Sequence, residues 1–184
     1  VMIEGLLGSL SATTYPSKTE DMLAVEAEYC RMEDELREKL TSYAEKFPGY
    51  DEYRISGEVL GHDPYVLASA LSAIYGEYSL DNVNSEVYEL FDLQYLVEEK
   101  SITETRYRTE TRTGYREVTD PETGESSLEE YTYEVEVAYD YKICVVTLIS
   151  KPLESVVDEL LTDEQKQIYE ILMKTNGNYP DLFN

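Results

Sequence analysis

Apolar side chains recur at every third or fourth position from Met22 onward, through Val25, Tyr29, Met32, Leu36, Leu40 and Tyr43 to Phe47. That spacing predicts a helix from about Asp21 with a single apolar stripe. Thr19 or Ser17 is available as its N-cap, and Glu20 and Asp21 sit well against the N-terminal dipole. Glu26, Glu28, Glu33, Glu35 and Glu38 fall on the opposite side and read as a solvated acidic back. A core-facing helix is favoured over a dimerising coiled coil, because the stripe is barely long enough for sustained heptads. Pro48-Gly49 ends it.

Between Gly49 and Gly61, Tyr53, Ile55 and Val59 alternate with polar neighbours, as in a short strand interrupted at Gly57. His62-Asp63-Pro64 then opens a second helix, since Asp caps well and Pro is tolerated at the first helical position. Its body, Tyr65 to Tyr75, is nearly all apolar or small and predicts the most buried helix. A third helix is expected from Leu80 to Leu96, capped by Ser79, with Val83, Val87, Leu90, Phe91 and Leu96 facing inward.

The period then changes to two. Thr105, Tyr107, Thr109, Thr111, Thr113 and Tyr115 alternate with Glu104, Arg106, Arg108, Glu110, Arg112 and Arg116, which predicts a long strand. After the turn signal Asp120-Pro121-Glu122-Thr123-Gly124, a second strand sets Tyr131, Tyr133, Val135, Val137, Tyr139, Tyr141 and Ile143 against Glu130, Glu134, Glu136, Asp140 and Lys142. The two form a hairpin. Charge complementarity selects a register with Arg116 opposite Glu130, Arg112 opposite Glu134 and Arg106 opposite Asp140, which places Tyr107 beside Tyr139 and Tyr115 beside Tyr131. Cys144 to Ile149 continues the strand with both faces buried. Helices over Pro152 to Leu161 and from Asp163 to about Lys174, capped by Thr162 and stopped at Asn176-Gly177, close the chain.

Composition narrows the function. Acidic residues outnumber basic ones by 39 to 15 in 184 residues, a net charge of −24 that repels the phosphates of nucleic acid and anionic lipid. No window reaches the roughly 18 consecutive apolar residues of a bilayer span, so the chain as given is expected to be soluble. Eighteen Tyr stand beside three Phe and no Trp, a bias suited to half-buried sheet faces and contact surfaces.

Candidate chemistry is sparse. Cys30 and Cys144 are too few for a disulfide scaffold; they pair once or stay as buried thiols, the latter being favoured. Lone His62 cannot assemble a His-based metal cluster. A Cys–His nucleophile is disfavoured, because Cys144 lies in an apolar strand and Cys30 on an acidic helix. Carboxylate pairs are too abundant to single one out for glycoside cleavage. Asp120 and Glu122 lack calcium-hand spacing, and Gly57 and Gly61 do not form a phosphate loop. No catalytic, cofactor-binding or metal residue is therefore assigned.

The strings PGYDEYR at Pro48, GHDPYVLASALSAIYGEY at Gly61, VEEKSITETRYRTETRTGYREVTDPETGE from Val97, EEYTYEVEVAYDYKICVVTL and NGNYPDLF resemble a segment of cell-wall hydrolases encoded by Gram-positive integrative and conjugative elements. The resemblance covers about Asp21 to Phe183. It implies a membrane-anchored parent in which a transmembrane segment, this segment and a peptidoglycan-cleaving domain, often papain-like, follow one another. The present sequence corresponds to the middle piece, so the resemblance carries no catalytic residue over to it. Residues 1–18 are expected to be a flexible lead-in just outside the membrane, and residues 19–184 a single α+β domain. That domain is a long antiparallel hairpin or small sheet packed with about five helices. The implied location is the extracellular side of the membrane or the wall.

These readings combine into a non-catalytic module that spaces, orients or recruits a peptidoglycan hydrolase in a conjugative transfer apparatus. It would need no cofactor, and its partners would be protein components of that complex or a second copy of itself. Tyr107, Tyr115, Tyr131 and Tyr139 are the candidate contact residues. Two alternatives stand beside it: a glycan-binding or glycan-cleaving domain with a Tyr-lined acidic groove, and a self-associating assembly module of a secretion channel.

Overall fold

The computed structural model describes residues 13–57 and 60–184. Their elements run α1 (Thr19–Thr41), a short helical turn α2 (Tyr43–Lys46), β1 (Glu52–Gly57), α3 (Pro64–Tyr75) and α4 (Leu80–Gln94). There follow β2 (Tyr95–Thr119), β3 (Ser126–Ser150), α5 (Leu153–Leu160) and α6 (Asp163–Thr175), closed by a 3-10 turn at Asn176–Asn178. The class is α+β. By packing, the chain divides into two compact units. One takes in the chain up to Phe47, Ile55–Glu98 and Val146–Asn184; the other takes in Pro48–Arg54 and Glu99–Val145.

The first unit holds the helices. Met22, Val25, Tyr29 and Met32 of the α1 stripe are buried, joined by Val66, Leu67, Ala70 and Leu71 of α3, Val83, Val87 and Leu90 of α4, and Leu153, Val156, Val157 and Leu172 of α5 and α6. Each of the Val, Leu and Met side chains among them contributes on the order of 1.5–3 kcal/mol by leaving water. Capping follows sequence at two helices. Asp63 Oδ1 accepts the Tyr65 N–H at 2.9 Å with Pro64 in the first position, and Thr162 with Gln165 forms a reciprocal capping box at the start of α6. At α1 the cap position falls on Lys18, which makes no side-chain cap bond. Ser17 instead accepts the Tyr78 N–H at 2.8 Å in the core.

The lead-in is in part structural. Residues 1–12 lie outside the described residues, but Tyr15 is 3% exposed. Its N–H donates to the Gly177 carbonyl and its hydroxyl meets Ser69 Oγ at 2.9 Å. Gly177 lies so close beneath the Tyr15 ring that a Cβ would sit 2.2 Å from it, at a φ of +58° that already favours glycine. At the end of α4, Leu96 was expected to face inward and is exposed. The helix stops at Gln94, strand geometry begins, and buried Tyr95 takes the inward position.

The second unit is built on the hairpin. The sheet has the order β1-β3-β2. β1 runs parallel to β3: the Asp51 N–H donates to the Lys142 carbonyl just before β1, and Gly57 at its end lies against Leu148 six positions further along β3. The antiparallel register of β2 and β3 is set at both ends, by the Lys151 N–H on the Gln94 carbonyl at 2.8 Å and the Asp120 N–H on the Glu125 carbonyl at 2.9 Å. It differs by one residue from the charge-selected one. Arg116 faces Glu129, with Nε to Oε2 at 3.2 Å, and Gly114 faces Tyr131. The tip decides this: Asp120 Oδ1 accepts the Glu122 N–H, and Gly124, at φ +72°, donates to the Asp120 carbonyl. Turn geometry fixes hairpin parity, whereas exposed charge pairs are worth only about 0.2–1 kcal/mol each.

A one-residue shift exchanges faces. Arg106, Arg108 and Arg116 consequently lie over the rings of Tyr141, Tyr139 and Tyr131, at 3.5, 5.4 and 5.6 Å from guanidinium carbon to ring centroid. Their ion pairs are mostly along the strand. Arg106 pairs with Glu104, Arg108 and Arg112 with Glu110, and Arg116 crosses to Glu129.

Candidate functional site

The most connected polar cluster lies in the first unit, around His62. Glu26, Tyr29, Cys30 and Glu33 occupy one side of α1 at successive turns, and His62 immediately precedes the Asp63 cap of α3. The imidazole is 2% exposed. Nδ1 is 2.9 Å from Glu33 Oε1 and Nε2 is 2.9 Å from Glu26 Oε2. The Tyr29 ring packs at 4.5 Å between centroids. Around this ring the contacts continue without a gap: Tyr95 donates to Glu33 Oε1 at 2.6 Å, the Gly61 N–H donates to the Tyr95 oxygen at 2.9 Å, and Gln94 accepts from Tyr29 at 2.6 Å while donating to the Gly61 carbonyl at 3.2 Å. Cys30 Sγ donates to Glu26 Oε1 at 3.3 Å.

Electrostatics follow from these contacts. Burial alone would depress the basicity of His62, but the hydrogen bonds and charges of Glu26 and Glu33 outweigh it and hold the imidazole up at about 9, so it is the cation between two carboxylates. Partial burial and then Glu26 push the Cys30 thiol up to about 12. A thiol so held is a poor nucleophile. Burial, and then the carboxylate of Glu33, raises the Tyr95 hydroxyl, which stays protonated and donates.

Sequence reading placed Glu26 and Glu33 on a solvated acidic back; Glu33 is instead 6% exposed and both turn to His62. Cys30 is a surface thiol and Cys144 a buried one, and both are free. The expected role of Cys144 as a small core residue holds, and that of Cys30 does not.

In the second unit, the four tyrosines singled out by sequence are not brought together. Tyr107 and Tyr115 lie on one face of the ribbon, 64% and 65% exposed, while Tyr131 and Tyr139 lie on the other beneath arginines. Tyr107 stands opposite Ala138 and Tyr115 opposite Glu130, as the register requires. A third feature, again in the first unit, is a surface groove of about 290 Å³ whose lining includes Leu71, Ile74, Leu90 and Leu93 together with Tyr75, Glu86 and Glu89.

What sequence missed was the His62 cluster. Its one signal was the spacing of Glu26, Cys30 and Glu33, which puts them on a common flank beside Tyr29 rather than behind it. No helix among the described residues is long and apolar enough to cross a membrane. Comparison of the chain with protein-family models, curated proteins and solved structures finds no match. Its class therefore rests on its own architecture, an α+β fold with a long hairpin.

Proposed function

We propose that this chain is a non-catalytic interaction module of an extracellular conjugation or cell-wall complex, positioning a peptidoglycan hydrolase through the surface of its β2–β3 ribbon. One observation supports this reading above the others: Tyr107 and Tyr115, on strands of 25 residues each, present most of their ring surface to solvent. Tyrosine supplies large contact area at low entropic cost and is enriched where proteins meet. A net charge of −24 disfavours anionic wall polymers as the ligand and favours a protein surface carrying basic groups. The location and the membrane-anchored parent rest on the sequence resemblance.

The test is association of the purified chain with a papain-like peptidoglycan hydrolase domain of the resembled family, followed by sedimentation. A complex that weakens at least tenfold on Tyr107→Ser with Tyr115→Ser supports the reading. Release of soluble muropeptides by the chain alone, at enzymatic rates, overturns it. Sedimentation of the chain by itself separates self-association from recruitment.

A second reading, glycan binding, draws on the groove at Tyr75, where a ring for stacking on sugar stands beside Glu86 and Glu89. Loss of muropeptide retention in Tyr75→Ala, with the ribbon variant unaffected, would move the function there.

A further inference from the structure

His62 is enclosed by α1 and the start of α3, and the ribbon-based function makes no use of it. With both ring nitrogens 2.9 Å from carboxylate oxygens, a neutral imidazole would set a lone pair against one of them, because it carries only one N–H. Positive charge on the Nε2 side removes that conflict. A proton supplies it in one way, and a metal ion supplies it in another. We propose that Glu26, Cys30 and His62 form a binding site for one zinc-class divalent cation, with Glu33 as the positioning residue for the imidazole.

The donor atoms converge. Those of Glu26, Cys30 and His62 lie within 4.8 Å of one another. Nε2 to Glu26 Oε2 is 2.9 Å and Cys30 Sγ to Glu26 Oε1 is 3.3 Å. A tetrahedral ion with bonds of about 2.0–2.3 Å keeps its ligands roughly 3.3–3.8 Å apart, so small rotamer adjustments suffice. One sulfur, one imidazole nitrogen and one carboxylate form a set that suits zinc, cobalt or iron and not magnesium or calcium. Behind the ligands, Glu33 accepts from Nδ1 and is itself held by the Tyr95 hydroxyl at 2.6 Å. That is the carboxylate–histidine support that fixes tautomer and ring direction in metal sites. Glu26 and Cys30 are one helical turn apart on α1, so the backbone already aims both at the same point.

Charge balances across the exchange. As the divalent ion enters, the Nε2 proton and the Cys30 thiol proton leave. An imidazolium of +1 is replaced by a +2 ion with a −1 thiolate. Glu26 and Glu33 thus face the same net positive charge before and after. Because Cys30 is at the surface, the fourth coordination position opens to water, which is the arrangement of a labile site rather than a closed structural one.

The experiment titrates Co²⁺, then Zn²⁺ in competition, into the whole chain after it has been stripped with chelator and reduced. One equivalent should bind in the presence of excess Mg²⁺, with a thiolate-to-cobalt charge-transfer absorption and release of about two protons per ion. Cys30→Ala, at a surface position that leaves the core intact, should abolish the absorption and weaken Zn²⁺ at least tenfold. Glu33→Gln should keep the absorption while weakening binding about 10–100-fold. Absence of the charge-transfer band in the wild-type chain, or cobalt uptake unchanged in Cys30→Ala, would overturn the site and reduce the cluster to a proton-bridged ion pair. Should Glu33→Gln fail to fold, the Cys30→Ala titration decides alone.

Discussion

Arg106, Arg108, Arg112 and Arg116 stand along a ribbon face in water and pair with carboxylates that are also in water, whereas His62 is enclosed and pairs with Glu26 and Glu33, which are nearly so. The same chemistry, cation against carboxylate, therefore has different weight in the two units. In the ribbon each pair is screened and replaceable, worth from nothing to about 1 kcal/mol. Around His62 the loss of one partner strands charge in a medium that cannot solvate it. The ribbon can consequently vary its charges to suit a partner surface, and the helical unit cannot vary His62 without losing stability.

The sharpest way to break this contrast is His62→Gln, expected to cost about 3–5 kcal/mol in urea unfolding because it leaves Glu26 and Glu33 facing each other without a cation. A cost below 1 kcal/mol would erase the distinction between the units.

The pH dependence comes next. In chelator-treated protein, His62 is faced by Glu26, Glu33, Cys30 and the Tyr29 ring from α1, with Tyr95 beyond Glu33. Its basicity is raised in the folded chain from an ordinary value of 6.5 to about 9. The folded state therefore holds the proton more tightly than the unfolded one. Its contribution, about 3 kcal/mol by linkage, is fully present below pH 6.5 and is lost as pH rises toward 9. The difference in stability between wild type and His62→Gln, measured across that window, should shrink accordingly; a constant difference contradicts the assignment.

Two glycines extend the comparison to packing. Gly177→Ala drives a methyl into the buried Tyr15 ring at positive φ and should cost about 2–3 kcal/mol. Gly114→Ala meets the Tyr131 ring at 2.9 Å, but that ring is 38% exposed and can swing aside. It should stay within roughly 0.5 kcal/mol of wild type by thermal unfolding.

The smallest effect tests the register. Charge reversal at Arg116 and Glu129 together should recover about 0.2–1 kcal/mol relative to the sum of the single reversals. The same cycle at Arg112 and Glu134, on opposite faces, should show no coupling. Coupling at the second pair alone would restore the charge-selected register.

Much of the architecture was legible because it depends on local rules. Asp63-Pro64 and Thr162 announce helix starts, Asn176-Gly177 announces a stop, and the period of two from Thr103 announces the hairpin. The register was not legible from charge, since Arg112 with Glu134 offers a fraction of a kilocalorie while the Asp120–Glu125 tip imposes parity. The tyrosine face failed for the same reason. Burial of Glu33 was hidden because an acidic residue on a helix is ordinarily solvated, and its partner His62 is 29 positions away. Only tertiary contact reveals that pairing.

The parallel alignment of β1 with β3 has a temporal consequence. β2 and β3 are joined by a few residues and can zip from the tip, but Asp51 meets Lys142 across 91 positions, and Thr13 meets Thr175 across 162. Closing such loops costs only about 0.6 kcal/mol per doubling of length, yet it slows the search for contacts. As the chain emerges from its N-terminal end, α1 meets its partners α3 and α4 by mid-chain, whereas β1 must wait for β3. Pulse-labelled hydrogen exchange during refolding should therefore find the ribbon amides protected early and the Asp51 amide late. An Asp51 amide protected together with the tip would indicate that the three strands assemble in one step.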